Sequence, residues 1–148
     1  MQNILDAVAW RTVADRLGRS SAVLLALDFD GTLAPIVAHP DKATLPGSTA
    51  ALLKVLAQKS GYKLAIVSGR ALAEVKGRIG IDGLIYCGNH GLEVEIEGRR
   101  WTAPGAEEAS EAVQEAGKAL GEKLGALHGV GLENKGVSIS VHYRQAPT

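Results

Sequence analysis

The sequence predicts an α/β fold with a parallel sheet at its centre. Residues 22–27, 64–67 and 84–87 are short apolar runs, and apolar residues at helical spacing separate them. Polar residues follow the first two runs directly and the third run after Gly88, as expected where parallel strands end at one shared edge. Because the first run, at residues 22–27, shows no polar alternation, we expect its strand to be buried on both faces of the sheet, with a ligand site at the shared edge.

Length and charge restrict the class of protein. The 148 residues suffice for a sizeable core, and 16 basic and 16 acidic residues give zero net charge. Neither a nucleic-acid partner nor an anionic membrane surface is therefore expected. The single cysteine excludes an internal disulfide framework and fits a reducing compartment, so we expect a cytoplasmic protein. No signal peptide or membrane-spanning run is evident.

A helix is predicted before the first strand, over residues 3–17, with Gly18 as its stop. Its apolar stripe is expected to pack on the sheet and consists of Leu5, Val8, Ala9, Val13 and Leu17. We assign no chemistry to this helix.

The end of the first strand carries the strongest candidates for catalysis. Asp28 and Asp30 stand one residue apart, and a Gly-Thr pair follows them. Asp28 could attack a phosphorus atom, while Asp30 could protonate the leaving oxygen and later activate water. Two carboxylates would repel a phosphate dianion, so this chemistry demands a divalent cation, for which Mg²⁺ is the natural choice. The alternative is an acidic turn whose Asp side chains cap backbone amides.

The segment up to the second strand is predicted as an irregular loop at residues 33–43, followed by a helix. That helix opens at Pro46, ends near Gly61 and has four apolar residues inside: Leu52, Leu53, Val55 and Leu56. Ser68 then follows the second strand, where a hydroxyl and nearby backbone amides can hold a phosphate. The alternative is that Ser68 caps the next helix, whose apolar positions are Leu72, Val75 and Ile79.

The third strand ends in two polar residues between glycines, Gly88-Asn89-His90-Gly91. Such a loop allows close backbone approach at the same edge, and its alternative is an ordinary turn into a hairpin. Alternating residues from Leu92 to Glu97, with a turn at Gly98, predict that hairpin.

Pro104 and Gly105 mark the best domain boundary, which gives predicted domains at 1–103 and 104–148. The second is expected to hold a helix at about 107–127. Strands at 130–133 and 137–143 follow, joined by an Asn-Lys-Gly turn. Three glycines four residues apart lie on the helix, where they could admit a close neighbour or simply be tolerated.

Five motifs in this order resemble those of the trehalose-6-phosphate phosphatases, which are haloacid dehalogenase-like enzymes. The first is the segment from Asp28 to Ile36, and the others are Val67-Ser68-Gly69-Arg70, Gly88-Asn89-His90-Gly91-Leu92-Glu93, Glu133-Asn134-Lys135-Gly136 and the segment from Ser138 to Arg144. The resemblance implies a Rossmann-like core and the first part of an inserted α+β cap. It also implies Mg²⁺-dependent hydrolysis of trehalose 6-phosphate to trehalose and phosphate.

The same resemblance assigns roles to individual residues. Asp28 and Asp30 would be the catalytic and metal-binding pair. The expected phosphate and substrate contacts are Ser68, Gly69, Arg70, Asn89 and His90 in the core and Glu133, Lys135 and Arg144 in the cap. Glu133 and Lys135 would hold the sugar hydroxyls.

Two later motifs of the resembled family do not occur in this sequence: a lysine directed at the phosphate, and an acidic pair that completes the metal site. No Asp follows Asp82. We therefore expect an N-terminal fragment that is at best feebly active alone. Two alternatives stay open: a related sugar-phosphate phosphatase, and a non-catalytic module that binds a sugar phosphate.

Overall fold

The main sheet has five strands in the order β1-β2-β3-β4-β5. A computed structural model describes residues 7–147, with side chains described from Trp10 onward. The strands are β1 (Val23–Asp28), β2 (Tyr62–Val67), β3 (Ile85–Gly88), β4 (Glu93–Ile96) and β5 (Arg99–Thr102). Strands β1, β2 and β3 run parallel, whereas β4 and β5 extend the sheet in antiparallel fashion. This arrangement confirms the predicted α/β class and, in the described part of the chain, leaves β1 at one edge of the sheet.

The predicted hairpin joins β4 to β5 through a two-residue turn. Glu97 and Gly98 both have positive φ angles, 51° and 77°. Turns with two left-handed central residues match the twist of the flanking strands, so the turn fixes the pairing of Val94 with Trp101.

One face of the sheet is covered by two helices, α2 (Gly47–Gln58) and α3 (Leu72–Ile79). Leu53 of α2 and the predicted apolar stripe of α3 pack on buried strand residues such as Ile66 and Tyr86. Phe29, directly after β1, is also fully buried in this cluster. The expectation that Leu52 and Val55 lie inside is wrong, because the buried stripe of α2 is narrower and both side chains are exposed.

The opposite face of the sheet is open. Pairing register places Leu24, Val67 and Trp101 away from α2 and α3, on the face that also carries Val94. Leu24 is 62% exposed and Trp101 is 53% exposed. The prediction that the first strand is buried on both faces is therefore wrong, since only one layer of helices packs on the sheet within residues 7–147.

The first helix, α1 (Ala7–Arg19), continues one residue past the predicted stop at Gly18. Trp10 and Val13 are exposed and Leu17 is half-buried, so the predicted packing of this helix on the sheet is wrong. Leu5 of the predicted stripe lies outside the described residues, and so do the side chains of Val8 and Ala9. None of the helices in the described part of the chain is both long and apolar enough to cross a membrane.

After β5 the chain forms α4 (Ser110–Leu124) and a separate hairpin of β6 (Gly131–Asn134) and β7 (Ile139–His142). Gly117 of α4 is buried, and a Cβ at this position would lie 3.3 Å from Cδ1 of Ile139. At this position the glycine therefore admits a close neighbour. The division into domains after residue 103 stays a prediction.

Candidate active site

A cavity of about 1050 Å³ lies between the carboxyl edge of the parallel strands and the hairpin β6–β7. Every predicted site residue except Asn89 lines it. These lining residues are Asp28, Asp30, Ser68, Gly69, Arg70, His90, Glu133, Lys135 and Arg144. The structure thus brings together residues that are more than 100 positions apart in the sequence.

Both aspartates reach the cavity because Phe29 between them points the other way, into the core. The backbone turns immediately afterwards: the Gly31 N–H donates to Ala34 O at 2.8 Å, and the Ala34 N–H donates to Phe29 O at 2.9 Å. Gly31 has a φ of 84°, a region that favours glycine. The strand, the buried anchor and the turn together expose the carboxylates of Asp28 and Asp30 at the sheet edge.

Arg70 is bound to Asp30 rather than free in the cavity. Its Nε and Nη2 donate to the two carboxylate oxygens of Asp30, each at 2.8 Å. Nη1 pairs with Glu74, and Nη2 also donates to Pro40 O at 2.7 Å. Hydrogen bonding to Asp30 is the main cause of the raised pKa of Arg70, and burial opposes it. The guanidinium is therefore a fixed positive charge beside the aspartate pair.

This pairing determines what the two carboxylates can do in the arrangement observed. Both carboxylate oxygens of Asp30 accept hydrogen bonds from the Arg70 guanidinium, so Asp30 must move off Arg70 before it can donate a proton to a substrate. Asp28 remains exposed to the cavity. Across residues 7–147, no three His, Cys, Asp or Glu side chains cluster closely enough to hold a metal ion. The described residues therefore do not complete a Mg²⁺ site.

Ser68 and Gly69 form the second wall of the site, after β2. The Ser68 N–H donates to Cys87 O at 2.9 Å, and its hydroxyl oxygen accepts the Arg70 N–H at 3.2 Å. Since α3 begins only at Leu72, the alternative that Ser68 is a helix N-cap is wrong. A Cβ at Gly69 would lie 2.5 Å from the His90 ring, so glycine allows that ring to pack here.

Asn89 does not line the cavity as predicted, because it is completely buried beneath the cavity wall. Its N–H donates to Arg70 O at 2.7 Å, and the His90 N–H donates to Ser68 O at 3.1 Å. Both residues have left-handed φ angles, 49° and 58°. These backbone bonds hold the two loops together, and they leave the His90 side chain exposed at the cavity.

The hairpin closes the cavity from the other side. Lys135 donates from Nζ to Gly69 O at 2.8 Å, and the same ammonium lies 3.6 Å from Oε2 of Glu133. That carboxylate oxygen also lies 2.7 Å from Nε2 of His142. Glu133 and Lys135 therefore present one acid and one base at the wall opposite Asp28.

Sequence reasoning missed two partners of the site. Glu74, which binds Arg70, lies four residues after it, and this spacing at a helix start is a visible signal for an ion pair. Ser138 donates to Oδ1 of Asn89 at 2.8 Å, a contact that is not predicted from the sequence. The 49 positions between them leave no local signal.

The arrangement suits chemistry on a phosphate ester. An accessible carboxylate can act as a nucleophile, and the basic groups of Arg70 and Lys135 lie at the same cavity to balance phosphate charge. The acid–base pair on the hairpin can hydrogen-bond to a polyhydroxylated leaving group.

The sequence also matches a known protein family. The family model for Trehalose-phosphatase matches residues 26–148. A trehalose-phosphate phosphatase of Mycobacterium tuberculosis is 39% identical over 149 residues, which cover 99% of this chain and 37% of that protein. The chain therefore spans well under half the length of this curated relative.

Solved structures agree with the fold. The C-terminal domain of a Candida albicans trehalose-6-phosphate phosphatase is 26% identical with a TM-score of 0.76, over 93% of this chain and 48% of that one. A trehalose-6-phosphate phosphatase related protein also gives a TM-score of 0.76, at 21% identity, over 85% of this chain and 54% of that one. The second similarity concerns the fold alone.

Proposed function

The chain belongs to the trehalose-phosphatase family, and from this we propose that its complete protein removes phosphate from trehalose 6-phosphate. The products would be trehalose and inorganic phosphate. The activity is proposed for the complete protein because this chain spans 37% of its curated relative. We propose a cytoplasmic location, which the single cysteine supports.

One observation carries this proposal: the exposed Asp28 carboxylate lies at the same cavity as the Glu133–Lys135 pair of the hairpin. The first group is suited to attack phosphorus and the second to hold sugar hydroxyls. We propose that the phosphate binds at the sheet edge and the sugar under the hairpin.

In the proposed reaction an Asp28 oxygen forms a bond to phosphorus while the bond from phosphorus to the sugar oxygen breaks. Asp30, once it leaves Arg70 and takes up a proton, gives that proton to the departing sugar oxygen. Water then attacks the aspartyl-phosphate, with Asp30 accepting its proton, and phosphate is released. Asp28 is restored at the end of the cycle.

The other cavity residues would bind the substrate. Ser68 and Gly69 are proposed to contact the phosphate, with Arg70 and His90 beside it. Arg144, on the hairpin side of the cavity, is proposed as a further substrate contact.

We propose Mg²⁺ as the cofactor of the complete protein, where it would offset the charge of the phosphate. Asp28 and Asp30 are the ligands that this chain can offer. Because the described residues hold no complete metal site, the remaining acidic ligands would come from residues beyond this chain.

Replacement of the nucleophile tests the proposal. In a protein extended to the length of its relatives, Asp28→Asn should reduce phosphate release from trehalose 6-phosphate by at least about a thousandfold. The matched control is Asp82→Asn, an exposed aspartate that does not line the cavity. Equal rates for Asp28→Asn and the unmodified protein would refute the role of Asp28. A comparison with glucose 6-phosphate and other sugar phosphates tests the choice of sugar.

A second candidate, a non-catalytic module that binds a sugar phosphate, is favoured by the Arg70–Asp30 pair and the incomplete metal site. Calorimetry with trehalose 6-phosphate, with and without Mg²⁺, distinguishes the two. The module would bind trehalose 6-phosphate with the same affinity with and without Mg²⁺, whereas the affinity of the proposed enzyme would depend on the metal.

A further inference from the structure

The tip of the hairpin β6–β7 is joined to the sheet edge by three hydrogen bonds. Nδ2 of Asn89 donates to Lys135 O at 3.2 Å, and Oγ of Ser138 donates to Oδ1 of Asn89 at 2.8 Å. The third runs from Nζ of Lys135 to Gly69 O at 2.8 Å. We call Asn89, Ser138 and Lys135 the latch.

Asn89 is the centre of the latch and uses both ends of its amide. The amide makes two bonds to the hairpin, one through Nδ2 and one through Oδ1. Nδ2 also donates to Glu93 of the core, and Oε2 of Glu93 accepts the Leu72 N–H at 3.3 Å. The side chain is 0% exposed. A buried amide that connects the core loops with the hairpin can form all of these bonds only when the hairpin is docked.

The latch is polar, unlike the packing that holds the sheet. Among residues 7–147, the main hydrophobic cluster extends no further along the chain than Tyr86, so it includes no hairpin residue. Breaking a hydrogen bond costs little net free energy when water replaces the partner, whereas exposing a buried apolar surface to water has no such compensation. The docked hairpin is therefore suited to open and close.

We propose that Asn89 and Ser138 are positioning residues that hold the hairpin closed over the cavity. Closure keeps the Lys135 ammonium on the Gly69 carbonyl at the cavity wall, and opening releases this ammonium to solvent. The consequence for catalysis rests on the proposed function, but the latch itself is tested without any activity measurement.

The accessibility of the Lys135 amine reports the state of the latch. Its side chain is 7% exposed when docked, whereas that of Lys63 on β2 is 70% exposed. Ser138→Ala removes one latch bond and should raise the rate of Lys135 acylation about fivefold, measured by mass spectrometry at each lysine. The rate at Lys63 should stay constant.

Two further serine variants serve as controls. Ser138→Thr keeps a hydroxyl and should restore the low Lys135 rate. Ser140→Ala removes a hydroxyl from β7, two residues further along the hairpin, where no latch bond is formed, and should leave the rate unchanged. An unaltered Lys135 rate in Ser138→Ala, or an equal rise at all lysines, would overturn the latch.

Asn89→Asp gives a stronger test. Aspartate cannot donate to Lys135 O, and its charge would repel Glu93. The Lys135 rate should rise more than in Ser138→Ala, by about tenfold or more, while circular dichroism confirms that the sheet and helices remain. If the variant does not fold, Ser138→Ala alone decides the matter. A folded Asn89→Asp protein with a protected Lys135 would also contradict the proposal.

Discussion

The two faces of the main sheet are built from the same strands but have different surroundings. On one face, α2 and α3 cover residues such as Leu64 and Ile66 almost completely. On the other, Leu24 and Trp101 are more than half exposed. Both faces carry apolar side chains, so the strand sequence favours burial of both. In the described part of the chain, helices cover only one of them. Burial therefore stabilises this sheet from one side only.

The largest effect in this comparison is expected from Leu64→Ala on the covered face. Leu64 is 3% exposed within the main cluster, so its truncation leaves a cavity that α2 and β1 cannot fill. We expect a loss of about 2–5 kcal/mol in the free energy of unfolding, measured by urea denaturation. A loss below about 1 kcal/mol would mean that the covered face packs loosely.

Tyr86→Phe should cost less, because it keeps the buried ring and removes one hydrogen bond. The Tyr86 hydroxyl donates to Ile81 O at 2.6 Å beneath the covered face. We expect a loss of about 0.5–1.5 kcal/mol by urea denaturation. No measurable change would show that Ile81 O finds water in the variant.

Glu95 on the covered face should make stability depend on pH. Lys76 and then Arg100 hold the pKa of this carboxyl below its ordinary value of 4.5. The resulting stabilisation is fully present above that value and is lost as the pH falls through the lower pKa of the folded protein. Glu95→Gln should therefore be slightly less stable than the parent at pH 7, and the difference should disappear in acid. Urea denaturation at both pH values checks this, and a difference that persists in acid would contradict it.

The smallest effect is expected from Leu24→Ala on the open face, the matched partner of Leu64→Ala. Because this side chain is already 62% exposed, its truncation should change the free energy of unfolding by no more than about 0.5 kcal/mol. The measurement is again urea denaturation, repeated over a range of protein concentrations. A cost similar to that of Leu64→Ala would show that this face is covered in solution.

Local rules predicted the elements that position the site. The apolar run before Asp28, the strand-to-helix junction at Ser68 and the turn at Gly98 all follow from patterns within about ten residues. The structure confirms these elements and gathers Asp28, Ser68 and Lys135 at one cavity. Periodicity and turn chemistry determine such elements before any distant contact forms.

The failures concern contacts between distant segments. The apolar patterns predicted that Leu52 and Leu24 are buried. Whether an apolar residue is buried depends, however, on which layer of the fold packs against it. The Arg70–Asp30 pair spans 40 positions and the Ser138–Asn89 bond spans 49. A single sequence does not reveal which polar side chains will meet across such separations.

Within residues 7–147, β1 lies at the edge of the sheet, and this position has a consequence for handling the chain. Unpaired N–H and C=O groups along an edge strand are a template for pairing with another chain, and apolar Leu24 adds to the attraction. Concentrated solutions should therefore form oligomers through this edge. Because Asp28 ends the same strand, such association would place the Asp28 carboxylate at the interface between neighbouring molecules.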